Sequence, residues 1–255
     1  SDPAKYRTKD EVQKMRTDFV ANASHELRTP LSVLSGSIKT LQGPARGDLE
    51  GQKKFLDMME QHTTRMTRLI DDLLSLSRIE LNAGMVPEGT VDLYAVLSNI
   101  VVMLEVPAGR RNVTIELQPG LGIRHITGDE VEISQLFQNL LENAVKYSNE
   151  NTTVSIGLRE TVRPVSAGRD KEVEYLEVSV SDEGAGIPAE HIPRLTERFY
   201  RVDTARSREM GGTGLGLAIV KHIVGRHRGI LDIQSVEGQG TTFTVFLPVS
   251  SEKTA

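Results

Sequence analysis

His25 and Thr29 stand four residues apart in the run Phe19-Val-Ala-Asn-Ala-Ser-His-Glu-Leu-Arg-Thr-Pro30, with Glu26 beside the histidine, so one face of a helix presents both. An exposed imidazole is largely neutral at cellular pH, and its free lone pair can attack phosphorus. The Glu26 carboxylate can orient such a ring or accept its proton. Pro30 removes the hydrogen bond to the Glu26 carbonyl and crowds the preceding turn, which predicts a bend just after His25. Standing alone, such a segment is more often a solvated surface histidine beside an incidental kink.

A second set lies further along. Asn139 and Asn143 are one helical turn apart, with Glu142, Lys146 and Tyr147 nearby. Amide oxygens suit a hard divalent cation, and a lysine suits phosphate. Asp182-Glu-Gly-Ala-Gly186 follows an alternating run, where glycines let a flat ring approach the backbone and Asp182 can accept from an exocyclic amine. Gly211-Gly-Thr-Gly-Leu-Gly216 opens an apolar helix whose free amides and positive dipole end would face an anion. Taken singly, these are a solvated helix face, a strand-to-loop turn and a helix-entry turn. The chain has no Walker A Lys-Ser/Thr pair, neither of the His-Arg-Asp and Asp-Phe-Gly strings, and the wrong spacing for a dinucleotide fingerprint.

The ungapped run Ser24-His-Glu-Leu-Arg-Thr-Pro-Leu31 resembles, residue for residue, the phosphoacceptor box of the dimerising histidine-kinase hairpin. That resemblance makes His25 the phosphorylated residue and Glu26 its catalytic acid/base. It also gives Thr29 a part in placing the water that hydrolyses a partner's aspartyl phosphate, so phosphatase activity is implied too. The second set is similar, in the same order, to the ATP-binding domain shared by histidine kinases, gyrase-type ATPases and the Hsp90 chaperone. Asn139-Leu-Leu-Glu-Asn-Ala-Val-Lys-Tyr147 looks like its N box, with Asn143 the expected Mg2+ ligand and Lys146 and Tyr147 at the nucleotide. Asn139 stands where the ATPase relatives carry a hydrolytic Glu, a departure that favours transfer over hydrolysis.

Asp182, Gly184 and Gly186 match the adenine box, and Glu197-Arg-Phe-Tyr-Arg-Val-Asp203 matches the phenylalanine box, with Phe199 and a phosphate-seeking Arg201. Gly212, Thr213, Gly214, Leu215 and Gly216 match the phosphate loop, and Gly238-Gln-Gly-Thr-Thr-Phe243 the last glycine turn, which supports the sheet near the base. The resemblance, spanning about residues 18 to 248, implies a sensor histidine kinase using ATP and Mg2+. Such a kinase autophosphorylates on His25 and hands the phosphoryl group to the receiver-domain Asp of a response regulator. Within the family the likeness is to phosphate-regulon sensors. The rival readings are a degenerate kinase kept as phosphatase or scaffold, and an ATPase of the gyrase or chaperone type.

These residues need two kinds of scaffold. Val20, Leu27, Leu31, Leu34, Ile38 and Leu41 follow one helical seam that Gly43-Pro44 ends; Phe55, Met59, His62, Met66, Leu69, Leu73 and Leu76 follow another, closed by Gly84 and Pro87. A helical hairpin over 1–84 is expected. Two such helices bury one stripe each, so a homodimeric four-helix bundle is expected as well. After a linker at 85–90, which must let the ATP domain swing, residues 91–250 read as an α+β sandwich of the histidine kinase, gyrase and Hsp90 type, and 251–255 as a tail. Its helices are expected near 92–104, 130–147 and 214–226, and its strands near 113–117, 154–159, 175–180, 230–234 and 242–247.

Some polar residues read as structural. His62 lies on the second seam and reads as a satisfied core or interface histidine, and the acidic run 172–177 reads as a solvated strand face. His222 and His227, at a helix C-terminus, read as partly cationic rings that favour the helix dipole.

The 255 residues are 38% hydrophobic and 25% charged, ordinary globular values. A net charge of -5 without a basic run excludes the footprint of a nucleic-acid binder. There are no cysteines, hence neither disulfides nor thiolate metal sites, and the six histidines show no H-E-x-x-H spacing. No run approaches the roughly 18 apolar residues of a membrane span, and no secretory leader opens the chain. The start Ser1-Asp2-Pro3-Ala4 has no initiator Met. We therefore expect the cytoplasmic portion of a longer bacterial sensor, anchored in the inner membrane through a missing N-terminal region.

Overall fold

The computed structural model describes residues 9–82, 84–119, 125–164, 172–203 and 211–249. The chain divides into two compact units: Ser1–Leu74 with Asp203–Thr213, and Ser75–Val202 with Gly214–Ala255.

The first unit is built on helix α1 (Lys9–Gln42) and most of α2 (Leu49–Leu81). α1 stops before Gly43-Pro44. Asp48 opens α2: its carboxylate accepts the Gly51 N–H at 3.0 Å, an N-cap bond that satisfies an orphan donor of the first turn. The Gln52 amide closes the turn on the Ala45 and Arg46 carbonyls, 3.0 Å each. α1 remains helical through Pro30, which is buried. The first seam covers itself only in part, with Val20 62%, Leu31 57% and Ile38 43% exposed, whereas the second is half-buried or buried along its length in this unit and leaves Leu56 (56%) and Ile70 (43%) exposed beside it.

The second unit begins with a two-residue pairing, β1 (Thr90–Val91) against β3 (Ile126–Thr127). Its main sheet has the order β2-β4-β5-β7-β6, from β2 (Thr114–Leu117), β4 (Thr153–Pro164), β5 (Glu172–Asp182), β6 (Ile230–Val236) and β7 (Gly240–Pro248). β2 runs parallel to β4; the other pairs are antiparallel. Helices α3 (Leu93–Gly109) and α5 (Gly216–Arg226) each pack on α4 (Glu130–Tyr147), and α4 packs on β4 and β5, giving an α/β sandwich. The core is dense where apolar periodicity is strongest. α4 buries Ile133, Leu136, Phe137, Leu140, Leu141, Ala144 and Val145, and β5 answers with Leu176, Val178 and Val180. Asp129 caps α4 through bonds from the Val131 and Glu132 amides, and Glu130, Glu132 and Lys146 suit its dipole.

The expected order of helices and strands is present. α3 continues five residues beyond 104, with Pro107 in its last turn, and the pairing of β1 with β3 is too short to leave a sequence period. Two smaller expectations are corrected. His227 is 3% exposed and uncharged, not a partly cationic ring: its Nε2 accepts the Asp129 N–H at 3.1 Å, which leaves Nδ1 to donate to the Ile223 carbonyl at 2.8 Å. A second ring proton would face an N–H, and burial already lowers this ring's proton affinity. Glu177 on β5 is not solvated; its side chain is 12% exposed and pairs with Arg159 at 2.8 Å. His62 is half-buried on the second seam, with its Nδ1 unpaired among the described residues, which is compatible with the interface reading. No helix among them is long and apolar enough to cross a membrane.

Candidate functional site

In the first unit His25 and Thr29 are both exposed on α1, and the Thr29 hydroxyl donates back to the His25 carbonyl at 3.3 Å. Glu26 turns to the other helix, where its carboxylate takes a bond from the Arg65 guanidinium at 2.8 Å, with side chains 14% and 13% exposed. A partly buried charge pair of this kind fixes the carboxylate next to His25. Arg65 was invisible to sequence reasoning; its only local signal is a position beside the seam residue Met66.

In the second unit the N box, the adenine box, the phenylalanine box and the end of the glycine loop converge. Gly216 opens α5 so close to α4 that a Cβ there would lie 3.0 Å from Asn139 Oδ1. Gly214, at φ +76°, brings its backbone against Phe199; a side chain would meet Phe199 Cα at 3.0 Å and Arg201 Nε at 3.2 Å. The Phe199 N–H donates to the Gly214 carbonyl at 2.8 Å, and Phe199 itself sits at φ 63°, an unusual value for an aromatic residue. Strain of this sort is held where the surroundings over-determine it. Asn143 is half-buried one turn beyond Asn139, and Lys146 lies 4.8 Å over the ring of Tyr147. Leu215 is fully buried and anchors the loop. Gly212 and Thr213 fall in the first unit, where the Thr213 hydroxyl donates to the Asp72 carboxylate at 2.6 Å. Residues 204–210, between the phenylalanine box and the glycine loop, lie outside the described residues.

At the adenine box, Gly184 pairs with Ser148 at the end of α4, and a Cβ on Gly184 would strike the Tyr147 carbonyl at 2.3 Å. Gly186 (φ +69°) lies on the Val236 carbonyl, while Gly240 lies on that of Asp182, and Gly238 N–H donates to the Ala185 carbonyl at 2.7 Å. The last glycine turn therefore braces this loop directly. Asp182 is 9% exposed; desolvation pushes its carboxyl above the ordinary range, partly offset by bonds from the Gly184 and Thr241 backbones. A buried carboxylate is suited to accepting a further bond from an amine that enters beside it. Sequence reasoning missed Asn149 and Glu183: the Asn149 amide donates to the Glu183 carbonyl at 2.7 Å, and the Glu183 carboxylate accepts the Thr153 N–H at 3.0 Å, tying the loop to β4.

Comparison with known proteins agrees with both halves. The His Kinase A phosphoacceptor domain matches residues 15–82, and the histidine kinase-, DNA gyrase B- and HSP90-like ATPase domain matches residues 128–251. The phosphate regulon sensor protein PhoR of Pseudomonas aeruginosa is 40% identical over 234 residues, 92% of this chain and 50% of its own length. The sensor histidine kinase WalK of Bacillus subtilis is 36% identical over 246 residues, 96% of this chain and 38% of its own. This chain thus spans half or less of such relatives. The Acinetobacter baumannii histidine kinase AdeS shares the fold with a TM-score of 0.63 at 24% identity, over 89% of this chain and 98% of AdeS. A phosphoacceptor hairpin and an ATPase sandwich, each in place and in the family's order, make this chain a sensor histidine kinase catalytic core.

Proposed function

We propose that this core transfers the γ-phosphoryl group of ATP to His25, for onward delivery to an aspartate of a separate response regulator. The observation that carries the reading is the close approach of Gly216 to Asn139 and of Gly214 to Phe199 and Arg201, with the Asp182 loop held at the far end of the same helix α4 through Gly184 and Ser148, in a chain that also exposes His25. Asp182 would select adenine, the glycine amides and the α5 dipole would take phosphate, and Arg201 and Lys146 would spread its charge. Asn143 offers the neutral, hard oxygen that Mg2+ accepts alongside phosphate oxygens, and Mg2+ so held would neutralise charge on the nucleotide. A ring nitrogen of His25 forms the bond to phosphorus as the bond to the bridging oxygen of ADP breaks. Glu26, held by Arg65, orients the ring or takes its other proton. With Asn139 in place of a carboxylate, nothing at that position activates water against ATP. Exposed Thr29, one turn from His25, supports phosphatase activity toward the regulator.

A homodimer, Mg2+, and a membrane anchor outside this sequence belong to the same proposal. For the signal we propose phosphate limitation, on the 40% identity to PhoR; the B. subtilis WalK relative stands at 36%, so a regulon response to phosphate starvation is the test of that point.

Incubation with γ-labelled ATP and Mg2+ tests the central claim. The expected label is stable to alkali, labile to acid and absent from His25→Ala; Asn143→Ala should lose it through lost nucleotide binding. Phosphate release without labelled protein would replace the kinase with an ATPase.

A further inference from the structure

The segment after α2, read from the sequence as the linker that lets the ATP domain swing, is hydrogen-bonded along its length within the second unit. Met85 N–H folds back on the Asn82 carbonyl at 2.9 Å, Pro87 is buried, and the Gly128 N–H holds the Gly89 carbonyl at 2.7 Å ahead of β1. Arg226, the last residue of α5, closes the set. Its Nε donates to the carbonyls of both Asn82 (3.2 Å) and Met85 (3.0 Å), and its Nη1 pairs with Glu132 in the first turn of α4. The Arg226 and Glu132 side chains are only 10% and 13% exposed. One guanidinium thus joins the linker to the ends of the two helices whose other parts carry Asn139, Asn143 and the Gly216 amide.

The tail of α2 rides with the same unit. Leu76 and Ile79 are buried, Ser75 donates to Gln135 at 2.7 Å, and Glu80 pairs with Arg198 and lies 3.5 Å from His222. Arg198 directly precedes Phe199, so a docked tail holds a cation of the phenylalanine box on a carboxylate of α2. Phosphoryl transfer and the later hand-over to a regulator make opposite demands on the ATP domain: it must reach His25 and then leave it clear. Such travel is eased when the clamp between the linker and the ends of α4 and α5 opens.

We infer that Arg226 is a releasable latch on the linker: closed, it holds the resting posture, and its opening precedes transfer to His25. Arg226 is a positioning residue here, since it touches backbone and Glu132, and the inference rests on the kinase reading above. Arg226→Lys is the sharp variant, because an ammonium can still face Glu132 but has no Nε to fork between two carbonyls. In the full chain it is expected to raise the autophosphorylation rate at saturating ATP about threefold to tenfold, with nucleotide Kd within about twofold of the parent. Amide hydrogen exchange should quicken at Met85 and the last turn of α2 while the melting temperature holds. Glu132→Gln, which loosens the same guanidinium from the other side, must move the rate in the same direction. An unchanged or lowered rate, or unchanged exchange at Met85, overturns the latch. A parent protein that never labels His25 sinks the kinase reading instead, and the exchange comparison then decides the latch by itself.

Discussion

The hairpin and the ATPase sandwich use the same apolar alphabet to different effect. In the sandwich, Leu97, Ile100, Leu136, Phe137, Leu140 and Leu141 are fully buried within a single chain. In the hairpin, Leu31, Ile38, Leu56 and Ile70 recur at helical spacing yet stay 43% to 57% exposed. The sandwich has two layers to close on each other; the hairpin has two stripes and wet flanks. This difference supports reading the hairpin as half of a bundle that a second copy completes, whereas the nucleotide site needs one chain only. Stability of the first should depend on protein concentration, and that of the second should not.

Phe137→Ala probes the sandwich and should have the largest effect. It empties a fully enclosed site beneath the N box, costing about 3–5 kcal/mol, and the loss read by denaturant unfolding should be the same at low and high protein concentration. The hairpin counterpart is Leu31→Ala with Ile38→Ala. Within one chain these half-exposed residues have little to lose, but in a dimer the pair should cost about 2–4 kcal/mol. Analytical ultracentrifugation should show dimers dissociating, with nucleotide affinity untouched. A parent chain that sediments as a monomer at all concentrations would remove the dimer proposal and leave the exposed seam to another cover.

The two units also differ in how much the sequence disclosed. α4 was legible to the residue, because Asp129 caps it, Ile133 to Val145 keep one period, and Ser148 ends it. The glycines of the site were legible for a related reason: at Gly184, Gly186 and Gly214 a side chain would collide with backbone or demand a strained φ, so no other residue type serves. What stayed hidden is non-local. Glu26 meets Arg65 across 39 positions, Arg226 meets Asn82 across 144, and His227 receives the Asp129 amide across 98. Such pairs leave no local period, and His227 at a helix end looked like a dipole partner until its surroundings showed it enclosed.

The smallest expected effect lies at Asp182, where the sandwich departs from its own packing logic. Burial raises this carboxyl's folded pKa above the unfolded value of 3.8, so its contribution to stability is fullest below that pH and is lost as pH rises through the raised value. Above that raised value the ionised group opposes the fold. Asp182→Asn is neutral at every pH and keeps an oxygen for the Gly184 amide, so its melting temperature should exceed the parent's at pH 7, with the gap closing as pH falls toward 4. Nucleotide affinity should fall about tenfold or more, the worth of a charge-assisted hydrogen bond. Calorimetry across pH, paired with nucleotide titration, reads both. A variant less stable at pH 7 would mean that Asp182 serves packing; one more stable but weak for ATP identifies the place where this unit gives up stability to hold its ligand.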